Sequence, residues 1–230
     1  MNALPLLFSL LVAAAPAPSG RALNTQGFRL YQAGRYREAL AKFRAATEAD
    51  PRLALAPYNA AATLGVLRKQ GRICEEGAHR EAILEYLRRA VELDARRLAR
   101  ARVDADFDGI RDTLGWQRLL GRSPEREADV PVLLREVSWS GLTDGALSAR
   151  RTLTFAPAGH VVLRTVGLEQ EGGRAVRRPR EERGTYTVQG RAVTLTLPEH
   201  GRVEGTLTER GALQLGPWGT FVDTPPECDA

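Results

Sequence analysis

From Ala22 to Leu120 the apolar residues recur at three- and four-residue spacing among Ala, Leu, Glu and Arg, the signature of amphipathic helices. From Val132 onward the period changes to two. Thr152–Phe155, Thr185–Val188, Val193–Leu197 and Val203–Thr208 alternate, are rich in Thr and Val, and are separated by Gly159, Gly190, Gly201 and Gly211. This is the pattern of a strand meander of seven or eight short strands, enough for a small antiparallel barrel or sandwich. Its inward positions are Leu153, Phe155, Tyr186, Val188, Val193, Leu195, Leu207 and Leu213, mostly aliphatic and suited to filling a narrow barrel. Between the two patterns, Gly121–Asp129 is polar and carries Gly and Pro, and reads as a linker. The expectation is an α+β chain in two domains: helical over 21–122, linker over 123–130, antiparallel β over 131–230.

The first 20 residues contain no charged side chain, and Leu4–Ala15 is an apolar run followed by Ala-Pro-Ala-Pro-Ser-Gly. The run is too short for a bilayer span, which needs about 20 residues. It fits the apolar core and small-residue cleavage region of a secretory leader, although Met1-Asn2-Ala3 lacks the usual basic residue. Residues 1–20 are therefore read as leader and flank, with cleavage between Ala14 and Gly20, and an exported, periplasmic or extracellular product is expected. Export favours a disulfide between Cys74 and Cys228, the two cysteines of the chain, which would clamp the halves together.

An internal repeat in the helical half carries the functional lead. Gly27, Tyr31, Gly34, Tyr36, Ala39, Phe43, Ala46 and Pro51 carry a spacing with a steric meaning. Small residues at 27, 39 and 46 let two antiparallel helices approach, Tyr36 and Phe43 fill the gap, Gly34 turns the chain, and Pro51 stops the second helix. A second unit pairs Pro57–Leu64 with Glu81–Asp94 around an insert near Gly71–Gly77 that carries Cys74. Since Ala95 stands where a second helix-stopping Pro would be, that helix is expected to run on toward Arg102, and Ala95–Leu120 to cap the stack. Residues 22–94 resemble tetratricopeptide repeats. The resemblance implies a stack of helical hairpins whose concave groove holds a peptide or protein segment. It implies Asn24, Phe28, Tyr31 and Gln32 from the first unit and Tyr58 and Ala62 from the second as groove residues, Tyr31 being the one of the first four most suited to the core.

Charge and candidate chemistry change this picture little. Of 33 basic residues only Lys42 and Lys69 are lysines, and the net charge of +5 conceals an excess of bases before Arg122 and of acids after it. The Arg cluster 88, 89, 96, 97, 100 and 102 has Glu85 and Glu92 placed for pairing four residues on, so a solvated, ion-paired face is favoured over an anion site. Nucleic acid is a poor partner for an exported chain, and no binding motif accompanies the arginines. Asp104-Ala-Asp106-Phe-Asp108-Gly109 opens like a calcium loop but has Gly115 where a bidentate Glu is required, so it is read as an Asp-capped helix start. Arg174–Arg183 reads as an exposed, mobile hairpin loop.

Three histidines and two cysteines offer little for a metal or cluster, and the motifs of hydrolases, zinc proteases and phosphate loops do not occur. No catalytic residue, metal or cofactor is expected. The reading is a non-enzymatic protein–protein interaction module of the cell envelope that binds a peptide or protein in the helical groove. The alternative is a carrier whose β-domain binds a small apolar ligand.

Overall fold

The computed structural model describes residues 17–142, 150–224, 227 and 228; the apolar run of the expected leader lies outside them. Ser19 opens the first helix, accepting the amide of Ala22 at its hydroxyl. Helix α1 (Gly20–Gln32) and α2 (Tyr36–Ala49) form an antiparallel hairpin turned at Gly34, whose φ of +74° suits glycine. At Gly27 the two helices touch: a Cβ there would lie 2.7 Å from the Phe43 ring. Helix α3 (Leu55–Lys69) and α5 (Arg80–Leu93) form a second hairpin, with the one-turn α4 (Ile73–Glu76) in the insert between them. Phe43, Leu64, Leu67, Ile83 and Leu87 are buried in the shared core.

The helix after α5 does not run on. It breaks at Asp94, whose carboxylate takes the Arg96 amide and the side chains of Arg96 and Arg97, and α6 (Arg96–Ala101) starts in a new direction. Asp104 then caps a 3₁₀ turn over Ala105–Ile110 by accepting the amide of Asp106 at 3.2 Å. Phe107, Ile110 and Trp116 join the helical core, as expected of a cap, but Leu114 of α7 (Leu114–Leu119) belongs to the core of the β half.

The β half is an eight-stranded closed barrel, antiparallel throughout and in sequence order. Its strands are β1 (Trp139–Leu142), β2 (Arg150–Ala156), β3 (His160–Glu171), β4 (Arg174–Gln189), β5 (Ala192–Leu197), β6 (Gly201–Leu207), β7 (Leu213–Leu215) and β8 (Thr220–Val222). All eight inward positions expected from the alternation contribute to one apolar cluster, with Trp139, Trp218 and Phe221 beside them. Helix α8 (Val130–Glu136), within a stretch read as linker and first strand, adds buried Val130, Leu133 and Leu134 to that cluster. The linker is held rather than loose, because the Arg191 guanidinium donates to the carbonyls of Pro124 and Glu125.

Arg174–Arg183 is strand, not loop. It pairs along its whole length with β3 through the Gly172–Gly173 turn, and residues 177–181 are exposed on both faces of that hairpin, so the arginines meet solvent whichever way they point. Glu182, facing inward, is the exception. Burial alone would raise its pKa, but the amides of Glu199 and His200 and the His200 ring hold the carboxyl below its usual range.

The halves are joined by the tail. Cys74 and Cys228 form the disulfide expected of them, and beside it Arg68 grips Glu227 through its two terminal guanidinium nitrogens. Asp223 accepts the Leu114 amide at 2.7 Å, and the Ser138 amide donates to the Asp112 carbonyl at 2.9 Å. No helix among the described residues is long and apolar enough to cross a membrane.

Candidate functional site

Helices α1 and α3 lie side by side with α6 and the 3₁₀ turn along one edge, and they enclose a half-open groove of about 390 Å³. Phe28 and Tyr31 line it from α1, Leu55, Tyr58, Asn59 and Ala62 from α3, and Arg97, Arg100, Asp104 and Asp106 from the third wall. The floor and rim differ in character. On the floor, Tyr31 donates its hydroxyl to Asp106 at 2.5 Å and Tyr58 donates to Asp104 at 2.8 Å. Phe107 stacks edge-on against Tyr58, and Tyr36 against Tyr31. At the rim, Phe28 is 47% exposed and Leu55 38%, both unusual for side chains of their size in this protein.

The two floor carboxylates act as hydrogen-bond acceptors for the two phenols. Burial and then the bond to a carboxylate hold the Tyr31 and Tyr58 phenols well above their usual range, so both stay protonated donors. Burial also raises the Asp106 carboxyl, reinforced by Asp104 and Asp108 and opposed by the Tyr31 hydrogen bond. Lys69 adds a cation behind this wall, reaching Asp108 at 3.5 Å and the Ala105 carbonyl. Among the described residues no group of three or more His, Cys, Asp or Glu is arranged to hold a metal ion.

Four of the six groove residues read from the sequence, Phe28, Tyr31, Tyr58 and Ala62, line this one groove. Asn24 lies beyond it and accepts a hydrogen bond at 3.0 Å from Asn59, which does line it. Gln32 is exposed at the end of α1 and is not part of the lining. The repeat pattern did not reveal the third wall, because residues 95–106 lie outside its period. The alternation Asp104, Asp106, Asp108 was the available signal, and it reads equally well as a capped helix start. Four of the six arginines of this cluster are ion-paired, though with other partners than their spacing suggested: Arg88 with Glu92, Arg96 and Arg97 with Asp94, Arg100 with Asp104 at 3.9 Å; Arg89 instead donates to the Thr47 carbonyl. No protein-family model matches this chain, and no curated protein matches it at a significant level.

Proposed function

We propose that the protein is a non-enzymatic interaction module, a tetratricopeptide-like helical stack that binds an extended peptide or protein segment in the α1–α3 groove. The observation that carries this reading is the pairing of exposed Phe28 and Leu55 at the rim with a floor of hydroxyls already fixed by Asp104 and Asp106. Aromatic and aliphatic side chains left open to water beside a preformed polar surface suit a ligand that supplies apolar side chains and backbone hydrogen bonds together. Among the described residues the groove is lined only by the helical half, with neither linker nor barrel filling it. The barrel interior, by contrast, is packed with its own buried side chains, which favours the groove over a ligand carried inside the strands.

The leader-like N-terminus and the disulfide support work outside the cytoplasm, in a cell envelope. Peptide display against the full-length, disulfide-bonded protein tests the binding reading. Selected peptides are expected to lose at least tenfold in affinity when Phe28→Ala or Leu55→Ala is introduced, about 1.4 kcal/mol. Selection of no peptide, or only of peptides indifferent to both substitutions, would refute it.

A further inference from the structure

A second cavity, of about 300 Å³, opens where the two halves meet, far in sequence from the groove. Arg68 and Arg80 line it from the helices, Ser138 from the residue before β1, Ser140 and Arg150 from β1 and β2, and Asp223 and Glu227 from the tail. Its acceptors are already used. Both Glu227 oxygens are bound, one side by Arg68 and the other by Arg68 and the Arg80 amide, with the Arg80 side chain at 3.6 Å. Asp223 takes the Leu114 amide on its carboxylate and Arg80 on its carbonyl.

Arg68 and Arg80 spend side-chain donors on these acceptors, but other donors of the lining are left over. Arg150 and the hydroxyls of Ser138 and Ser140 have no hydrogen-bond or ion-pair partner among the described residues, while Arg80 Nε, buried without a hydrogen bond, lies 3.6 Å from Glu227. A pocket with spare donors, satisfied acceptors and an excess of guanidinium groups is complementary to an anion. The two serines stand two positions apart on one extended segment, about 7 Å. Hydrogen bonds of about 2.8 Å to neighbouring oxygens of one tetrahedral group can bridge that gap.

We propose that this cavity binds a phosphate group, free or as a small ester, through Arg150, Ser138 and Ser140 with Arg80 behind them. Because the ligand would touch both halves at once, its binding would also stiffen their junction beside the disulfide. This site is independent of the groove, and its failure would leave the peptide reading untouched.

The test is calorimetric titration of the full-length oxidised protein with inorganic phosphate and, separately, with glycerol phosphate, at constant ionic strength against a chloride and acetate background. One saturable site is expected for phosphate, for the ester, or for both; the pattern says which source the site accepts. Arg150→Gln is expected to weaken it at least tenfold, and Ser138→Ala with Ser140→Ala to do the same. Arg164→Gln, an exposed arginine on the neighbouring β3, should leave it unchanged. Arg150 is exposed, and the melting temperature of Arg150→Gln without phosphate reports that its fold is intact. Absence of saturable heat with both ligands up to about 10 mM would overturn the proposal. So would equal weakening by Arg164→Gln, or affinity unaffected by Arg150→Gln.

Discussion

Replacing both cysteines, Cys74→Ser with Cys228→Ser, probes how the two halves are held together. The residues lie 154 positions apart, so the bond closes a very long loop in the unfolded chain. On the chain-entropy account, opening a loop of that length restores roughly 5 kcal/mol of freedom to the unfolded state. The folded state should change little, because Arg68 and Arg80 still hold Glu227 beside the former bond and Asp223 still accepts the Leu114 amide. The loss should therefore appear as lowered stability of an otherwise unchanged fold. For a chain of this size each kcal/mol moves the melting temperature by about 2–4 °C, so a fall of about 10–20 °C is expected. Differential scanning calorimetry of the oxidised protein and the double variant measures it, with circular dichroism to verify that the native spectra coincide. A fall under about 1 kcal/mol would contradict the reasoning, since the tail would then be no constraint on the unfolded chain.

Gly65→Ala would place a Cβ 2.0 Å from the Asp106 carbonyl oxygen, so the third wall of the groove must shift; a loss of about 1–3 kcal/mol by chemical denaturation is expected, together with weaker peptide binding. Tyr58→Phe removes a hydroxyl bound to Asp104 and should cost about 1.5–3 kcal/mol in the same assay, less if Arg100 closes on the carboxylate. Glu182→Gln should destabilise the barrel at neutral pH, and the sign of the pH dependence is fixed. The native carboxyl titrates below its unfolded counterpart, so its contribution is complete above the ordinary carboxylate range and disappears as pH falls through the native value. Melting curves of the two proteins should thus converge in acid; a gap that widened there would sink the assignment. Phe28→Ala, at an exposed rim position, should change stability by less than about 0.5 kcal/mol while reducing peptide affinity.

Much of this architecture could be read from periodicity alone. The change from three-four spacing to strict alternation marks a real change of architecture, and the inward set from Leu153 to Leu213 converges in one core because side chains on a strand have only two faces to choose. The same rule does not recover the first part of β4. Arginines at 174, 177, 178, 180 and 183 look like a loop by composition, and no alternation marks them as strand because residues 177–181 are exposed on both faces. Other features were beyond local pattern. Asp94 ends a helix by gathering Arg96 and Arg97, a competition between side chain and backbone that propensity cannot settle. Helix α8 closes one part of the barrel core through Val130, Leu133 and Leu134, three residues whose spacing is too short to separate from linker or strand. In the groove, small and aromatic residues at repeat spacing led to Phe28, Tyr31, Tyr58 and Ala62, whereas the wall from Arg97 to Asp106 depends on a chain direction that emerges only after folding.

The most direct test of the groove as a peptide site is nuclear magnetic resonance of the labelled, oxidised protein titrated with a display-selected peptide. Saturating shifts confined to Phe28, Leu55, Asn59, Ala62 and their neighbours on α1 and α3 are the expected result. Shifts that map to the barrel strands instead, with those residues unmoved at saturation, would contradict it.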